Sequence, residues 1–276
     1  MLRPFKQVDV FTAVPYRGNP LAVVLDGGGL SAEEMQRFTN WTNLSEATFL
    51  LPPAHAGADY RVRIFCPGRE LPFAGHPTLG SCHAWLEAGG RPRGDLIVQE
   101  CGVGLVKLRR DGDRLAFAAP PLRKSGPLAE AEVARVARGL GVPREEIVDH
   151  AWCDNGPNWC AVMLKSAAQV LALKPDGEIL AGMDVGVVGA SGDECAFEVR
   201  AFFPGNNGIT EDPVTGSLNA ALAQWMIGAG HAPQSYVVSQ GTALGRAGRV
   251  HVQRDDKGET WIGGASVTCV EGQVAI

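Results

Sequence analysis

Glu46 is the first residue whose type and position could do acid/base chemistry. It follows a polar turn at residues 43–45 and opens an apolar segment that is predicted to be a strand over 46–51. Burial at such a point would raise the pKa of the carboxyl group and suit it to taking and returning a proton. The same position also fits a glutamate at the edge of a strand, with its carboxylate in water.

His76 is the second candidate, and it stands directly before a helix that is predicted at 77–88. Gly75 lets the backbone approach a ligand closely, and Pro77 suits a first helical turn. A helix start presents free N–H groups and a partial positive charge. A histidine there tends to be neutral at pH 7, so it could act as an acid, a base or a hydrogen-bond donor. The alternative is a histidine that caps the helix or fills the core.

Asp212 is the third candidate, and it precedes a second predicted helix at 216–229. The small residues Gly216 and Ser217 open that helix, and its free N–H groups would hold the carboxylate of a substrate. An aspartate that only caps an ordinary helix is the alternative, because Asp-Pro is a common helix opening.

An internal repeat connects these candidates. Residues 63–68 (RIFCPG) match residues 200–205 (RAFFPG) at an offset of 200 − 63 = 137. The segments that begin at His76 and Asp212 match at an offset of 212 − 76 = 136. The repeat therefore places a histidine in one copy where the other copy has an aspartate.

A third block of the repeat, near Gly18 and Gly156, keeps almost the same offset of 156 − 18 = 138. Half of the 276 residues is also 138, so we expect two similar domains back to back. A molecule of two lobes has a cleft, which is a default place for a ligand. His76 and Asp212 would stand there at equivalent helix starts, and two opposed acid/base groups around a small anion suit moving a proton from one carbon to another.

Strands dominate both halves, and one long helix follows the motif loop in each. The motif loops are predicted at 66–75 and 204–214, and further helices at about 32–42 and 129–139. This pattern predicts an α+β fold, in which a strongly bent sheet surrounds one central helix in each domain.

The domain boundaries are predicted from the repeat and from a proline-rich linker. The first domain is assigned to residues 1–120 and the second to 125–265. The segment 266–276 is strand-like and surplus to the repeat, and its return to the first domain is an open alternative.

Composition narrows the class of function. The formal net charge of −5 argues against a general binder of nucleic acids or membrane surfaces, which would need a basic face. The 7 cysteines follow no disulfide or zinc pattern, which is typical of reduced thiols in the cytoplasm. The start of the chain has no signal-peptide pattern, no apolar run reaches the roughly 20 residues of a membrane span, and the histidines form no obvious metal set. We expect a cytoplasmic protein.

At its motifs the chain resembles the PhzF-like family of phenazine-biosynthesis isomerases. The matching segments run in order over nearly the whole chain: 8–11 (VDVF), 18–20 (GNP), 43–49 (NLSEATF), 73–80 (FAGHPTLG), 211–217 (EDPVTGS), and Gln240-Gly241 with Gly245-Arg246. The resemblance implies the fold of diaminopimelate epimerase, with two pseudo-symmetric domains, each a curved, mostly antiparallel sheet wrapped around a central helix.

The resemblance also implies a function. The family's type reaction is a cofactor-free proton shift that isomerises a dihydro-hydroxyanthranilate. Its acid/base glutamate matches Glu46, and its supporting histidine, aspartate and serine match His76, Asp212 and Ser217. No metal or cofactor is implied, and homodimers are usual in the family.

We therefore expect a cofactor-independent isomerase of a small carboxylic acid, with Glu46 as general acid/base, His76 and Asp212 in support, and Gly75, Gly216 and Ser217 around the substrate. The expected partners are an anionic small molecule and a second copy of the chain, with no nucleic acid and no membrane. Two alternatives stay open. One is an epimerase or racemase of an amino or hydroxy acid, although the cysteine pair of two-thiol racemases is replaced by other residues here. The other is a protein of the same fold that binds small acids without catalysis.

Overall fold

The computed structural model describes residues 1–205 and 208–276. It divides into two compact units. Met1–Ala118 and Gly263–Ile276 form the first unit, and Ala119–Ile262 form the second. Each unit carries one copy of the sequence repeat and combines a sheet with helices, which is an α+β arrangement.

The first unit consists mainly of strands, with two helices. Its elements are β1 (Leu2–Val10), β2 (Asn19–Val24), α1 (Ala32–Thr42), β3 (Ala47–Leu51), β4 (Tyr60–Cys66), β5 (Arg69–Leu71), α2 (Gly75–Glu87), β6 (Ile97–Cys101), β7 (Gly104–Asp111), β8 (Arg114–Ala118) and, from the end of the chain, the strand Ser266–Ala275, here β17.

The sheet of the first unit is mostly antiparallel. β1 pairs with β17 and with β2, and the order continues through β3, β4, β6, β7 and β8. Two of these pairs are parallel, β2 with β3 and β4 with β6. The short strand β5 forms a hairpin with β4.

Helix α2 is buried because it lies against several strands of this sheet at once, β1, β2, β3 and β8. Every residue from Gly75 to Cys82 is buried, as expected of a central helix. Gly80 allows the close approach, since a Cβ atom there would lie 2.7 Å from Leu21 Cδ2 and 2.9 Å from Val10 Cγ2. Leu21 therefore points toward α2, and because side chains alternate along a strand, its neighbour Ala22 points away from α2, into the core cluster that contains Met35 of α1.

The second unit has the same mixture of elements. They are α3 (Glu130–Leu140), β9 (Asp149–Trp152), β10 (Trp159–Leu164), α4 (Ala167–Ala172), β11 (Asp184–Ala190), β12 (Phe197–Gly205), β13 (Gly208–Asp212), α5 (Gly216–Gly228), β14 (Ser235–Gln240) and β15 (Gly248–Arg254), with 3₁₀ turns at Arg144–Glu146 and Thr242–Leu244. The strand β16 (Thr260–Gly264) crosses the boundary, because Gly263 and Gly264 belong to the first unit.

Strand pairing in the second unit repeats the pairing in the first. The series β9, β10, β11, β12, β14, β15 is antiparallel, parallel, antiparallel, parallel and antiparallel. The series β1, β2, β3, β4, β6, β7 follows the same alternation. β13 forms a hairpin with β12 as β5 does with β4. The sequence repeat is thus also a repeat of strand topology.

An ion pair repeats as well. Arg63 of β4 binds Glu70 of β5 through two hydrogen bonds of 2.7 and 2.6 Å. Arg200 of β12 binds Glu211 of β13 in the same way, at 2.9 and 2.7 Å. The second pair is more buried, with side-chain exposures of 7% and 12% against 21% and 41% in the first.

The structure corrects several boundaries that the sequence predicted. The predicted loop 66–75 contains β5, and the predicted loop 204–214 contains β13. Residues 206 and 207 of the second loop lie outside the described residues. Both strands are short and polar, so they lack the apolar pattern that predicts a strand. The sequence patterns also predict neither helix α4 nor strand β11. Helix α4 is too short to show a helical period, and β11 is an apolar strand that contains glycine. Glu46 lies one residue before β3 rather than within it.

Helix α2 also begins earlier than predicted. It starts at Gly75, after the extended residue Ala74, so Gly75 and His76 lie inside its first turn instead of ahead of it. Helix α1 begins with the capping box between Ser31 and Glu34 that its sequence indicates. None of the helices in the described ranges is long and apolar enough to cross a membrane.

Candidate active site

Glu46 and His76 lie side by side in the first unit. The Oε2 atom of Glu46 is 3.4 Å from Nε2 of His76, and the side chains are 15% and 3% exposed. The last residue before β3 carries the carboxylate, and the first turn of α2 carries the imidazole. These two elements pack together, which brings residues 30 positions apart in the sequence into contact. The distance is long for a strong hydrogen bond between the two groups.

His76 is neutral at physiological pH. A carboxylate at 3.4 Å favours the imidazolium ion, but complete burial favours the neutral ring more strongly and lowers the pKa of His76 to about 3. The contact with Glu46 is therefore between a carboxyl group and an uncharged imidazole.

Asn19 is the second neighbour of His76, and sequence analysis did not assign it a role. Its Nδ2 atom lies 3.2 Å from Nδ1 of His76, and its side chain is fully buried. Asn19 is the first residue of β2 and part of the segment Gly18-Asn-Pro20. The sequence signals for this segment are its place in the internal repeat and its match to the family motifs.

The turn before Asn19 is fixed by Asp9. The Oδ2 atom of Asp9 accepts hydrogen bonds from the backbone N–H groups of Arg17 and Gly18, at 2.8 and 3.0 Å. Only glycine fits at position 18, since a Cβ atom there would lie 2.1 Å from the carbonyl oxygen of Val10. Asp9 and Gly18 thus determine where β2 begins and where the Asn19 amide lies.

Helices α2 and α5 begin without a side-chain cap. Neither Ala74, before α2, nor Thr215, before α5, bonds to the first-turn N–H groups through its side chain. Helix α1 differs, because Ser31 caps it. The first-turn N–H groups of α2 and α5 thus keep the capacity to bind an anion, which suits the predicted roles of Gly75 and Gly216.

Asp212 lies in a second group of polar residues, in the second unit. Its Oδ2 atom accepts a hydrogen bond of 2.6 Å from the hydroxyl of Thr215. Gln240, at the end of β14, donates to Thr215 Oγ1 at 2.9 Å and accepts from the Thr215 N–H at 3.0 Å. Its Oε1 also accepts from Asn219 Nδ2 at 2.8 Å. Gln240 is fully buried, and it ties the start of α5 to the sheet.

Ser217 is held by two residues that the sequence did not single out. The indole Nε1 of Trp159 donates to Ser217 Oγ at 3.2 Å, and Asn155 Nδ2 donates to the Ser217 carbonyl oxygen at 2.8 Å. Because Ser217 Oγ accepts from Trp159, the hydroxyl hydrogen stays available for another acceptor.

The six predicted site residues thus fall into two groups. Glu46, Gly75 and His76 lie together in the first unit. The other three, Asp212, Gly216 and Ser217, lie around the start of α5 in the second unit. Five further polar residues support them: Asn19, Asn155, Trp159, Thr215 and Gln240.

The cysteines near the motif are not poised as bases. Burial raises the pKa of the Cys82 thiol to about 12. Burial and the nearby Glu46 carboxylate both raise the pKa of Cys66. Both thiols are therefore protonated at neutral pH.

Two further features lie apart from these groups. Within residues 1–205 and 208–276, no three His, Cys, Asp or Glu side chains are grouped as metal ligands. A cavity of about 340 Å³ opens in the second unit, and its lining includes Arg135, Trp152 and Asp184. None of the six predicted site residues lines this cavity.

Comparison with known proteins identifies the family. A family model for phenazine biosynthesis-like proteins (PhzC-PhzF) matches residues 8–272. The trans-2,3-dihydro-3-hydroxyanthranilate isomerase of Pseudomonas aeruginosa is 35% identical over 262 residues, 91% of this chain and 90% of that protein. Antisense-enhancing sequence 1 of Schizosaccharomyces pombe is 38% identical over 291 residues, 98% of this chain and 97% of that protein.

The fold agrees with this assignment. The crystal structure of a PhzF-family phenazine biosynthesis protein from Bacillus anthracis matches with a TM-score of 0.84 over 100% of both chains, at 23% identity. The predicted fold class, α+β of the diaminopimelate epimerase type, is confirmed. The chain therefore belongs to the phenazine biosynthesis-like, or PhzF, family, and it is an enzyme of the isomerase class.

Proposed function

We propose that the protein is a cofactor-independent isomerase that moves a proton between two carbon atoms of a small carboxylic acid, with Glu46 as the group that takes and returns the proton. The observation that carries this proposal is the contact of 3.4 Å between the Glu46 carboxyl group and the buried imidazole of His76. A largely buried carboxylate beside a hydrogen-bond donor suits proton exchange with a weakly acidic carbon.

The low basicity of His76 separates the roles of the two residues. With its pKa lowered to about 3, the imidazole does not hold a second proton at neutral pH. It is therefore a poor choice for the group that carries the proton from one carbon to the other. A neutral imidazole still has one N–H donor. We assign the proton transfer to Glu46 and hydrogen-bond support to His76.

The proposed step balances without an oxidant or a reductant. The Glu46 carboxylate takes a proton from a carbon that a neighbouring carboxylate or conjugated system makes acidic. The electrons of the broken C–H bond enter the conjugated system, and the double bond moves. The protonated Glu46 then gives the proton to a second carbon of the same molecule, which regenerates the carboxylate.

The polar residues of the second unit are proposed to bind the substrate. Asp212 would accept a hydrogen bond from an amino or hydroxyl group, since Thr215 already holds its carboxylate in place at 2.6 Å. The N–H groups at the start of α5, with Gly216 and the hydroxyl of Ser217, would bind the substrate carboxylate. Gly75 would give the substrate close access to the start of α2.

The relative from Pseudomonas aeruginosa suggests the first substrate to test. That protein is named for trans-2,3-dihydro-3-hydroxyanthranilate, a small cyclic amino acid with a conjugated system. We propose a substrate of this chemical class. A homodimer and a cytoplasmic location remain predictions.

Proton NMR in deuterated water tests the proposal. The purified protein is incubated with trans-2,3-dihydro-3-hydroxyanthranilate and with a panel of cyclic and linear amino acids. Deuterium at a new carbon, together with a shifted double bond, is the expected result. Exchange at a single stereocentre with loss of optical rotation would indicate an epimerase instead, and binding without exchange would indicate a binding protein.

A further inference from the structure

We propose that Asn19 is a positioning residue that fixes the tautomer of His76 with its proton on Nε2, so that the imidazole donates toward the Glu46 carboxylate. Neutral imidazole carries its proton on one of two nitrogens, and the neighbours of the ring decide which. Asn19 lies at Nδ1 of His76, and Glu46 lies at Nε2.

The neighbour at Nδ1 is a donor. The amide Nδ2 of Asn19 lies 3.2 Å from Nδ1 of His76, and both side chains are buried. An amide N–H₂ group has no lone pair to offer, so Nδ1 must accept. The proton of the neutral ring is thereby placed on Nε2.

The neighbour at Nε2 is an acceptor and favours the same tautomer. A carboxylate oxygen of Glu46 lies 3.4 Å from Nε2. In the opposite tautomer, the Nε2 lone pair would face this carboxylate, which is an unfavourable contact in a buried place. The two contacts are independent, and they agree.

The backbone around Asn19 is held in place by its neighbours. Asp9 accepts from the N–H groups of Arg17 and Gly18, and a Cβ atom at Gly18 would lie 2.1 Å from the Val10 carbonyl oxygen. Pro20 follows and restricts Asn19 to extended backbone. The backbone that carries the Asn19 side chain is therefore fixed on both sides of the residue.

The consequence for catalysis rests on the proposed role of Glu46, whereas the tautomer itself does not. A donor at Nε2 would stabilise the Glu46 carboxylate before it takes the proton and would keep the carboxylate in one orientation. Asn19 would act on the reaction only through His76.

The first test is a long-range ¹H–¹⁵N spectrum of the whole protein labelled with ¹⁵N-histidine, in which H76Q identifies the signals of His76. We expect a protonated-type Nε2 and an unprotonated-type Nδ1 in the unaltered protein. The reverse pattern, or a ring protonated on both nitrogens at neutral pH, would overturn the proposal.

The second test is N19D, which replaces the donor at Nδ1 with a group that only accepts. We expect protonation to appear at Nδ1, and kcat on the substrate to fall about 10- to 100-fold, by analogy with residues that orient a metal-binding histidine. The control is N40D, at an exposed asparagine whose Oδ1 accepts a hydrogen bond from the Gly68 N–H. This variant should change neither the tautomer of His76 nor kcat.

The outcomes separate this proposal from the proposed function. An N19D protein with Nδ1 still unprotonated would contradict control of the tautomer by Asn19. A shifted tautomer with unchanged kcat would show that the tautomer does not matter for the reaction. If the unaltered protein turns over no substrate, the proposed function fails, while its histidine spectrum still decides the tautomer.

Discussion

The Nε2 atom of His76 lies 3.4 Å from the Oε2 atom of Glu46, and only 3% of the His76 side chain is exposed. This contact joins the turn before β3 to the first turn of α2 within one unit. Its chemistry follows from burial, because the ring remains neutral next to a carboxylate that would otherwise charge it.

The burial of His76 should make the free energy of unfolding depend on pH. The pKa of His76 is about 3 in the folded protein and 6.5 in the unfolded chain. As the pH falls through this interval, the unfolded chain binds a proton that the folded protein does not, so stability is lost. The expected loss from this residue is at most about 1.4 kcal/mol per pH unit, and it vanishes above the unfolded pKa.

Urea unfolding across this interval measures the effect. The variant H76Q should show a shallower dependence on pH than the unaltered protein, and H55Q, at an exposed histidine, should retain the steeper one. Equal slopes for H76Q and the unaltered protein would mean that His76 is not buried as a neutral ring.

The two equivalent ion pairs should differ in their contribution to stability. Glu211→Ala leaves the guanidinium of Arg200 buried without its carboxylate, and we expect a loss of roughly 3 kcal/mol. Glu70→Ala removes the same contact from the more exposed Arg63, and we expect a loss of at most about 1 kcal/mol. Chemical denaturation of both variants makes the comparison. Equal losses would show that the difference in burial has no energetic effect.

Gln240→Ala should lower both stability and activity. It removes the acceptor of the Thr215 N–H and of Asn219 Nδ2, both buried, and a buried donor left unpaired costs about 1–3 kcal/mol. We expect a loss of at least about 2 kcal/mol in unfolding free energy and a lower kcat/KM, because Asp212 loses the support of Thr215. Gln234→Ala, at an exposed glutamine, is the control. A Gln240 variant as stable as this control would contradict the role of the network.

Trp159→Phe should weaken substrate binding with little change in kcat. It deletes the indole N–H that donates to Ser217 Oγ and keeps most of the ring packing. The loss of one hydrogen bond costs about 1 kcal/mol. If Ser217 binds the substrate carboxylate equally in the ground state and the transition state, this loss corresponds to roughly a fivefold rise in KM. Trp261→Phe removes an indole donor to Asp255 and serves as the control. A kcat that falls with unchanged KM would contradict a simple binding role for Ser217.

Much of the fold was predictable because it depends on local patterns. The repeat of Arg63–Gly68 at Arg200–Gly205 indicated two similar halves. The structure shows the same order of antiparallel and parallel strand pairs, and an equivalent hairpin, in both units. The capping box at Ser31 predicted α1 correctly. Strands β5 and β13 were missed because short, polar hairpin strands carry no apolar signal of their own.

The site was predictable only in part. Glu46, His76 and Asp212 stand out as ionisable groups next to helix starts or apolar strands. The residues that support the site do not stand out in this way, because they are far from it in the sequence. Asn19 contacts His76 across 57 positions, and Trp159 contacts Ser217 across 58. Such contacts depend on the register of the strands and on the position of a helix against its sheet. A single sequence does not reveal either of these.

The role of Glu46 as the proton-transfer group is tested by comparing deuterium incorporation by the unaltered protein and by Glu46→Gln. The substitution keeps the shape of the side chain and removes its ability to carry a proton to carbon. With E33Q, at an exposed glutamate, as the control, we expect incorporation into the substrate to fall by roughly 10²–10⁴-fold in Glu46→Gln, while the free energy of unfolding changes little. Incorporation at the rate of the unaltered protein would contradict this role of Glu46.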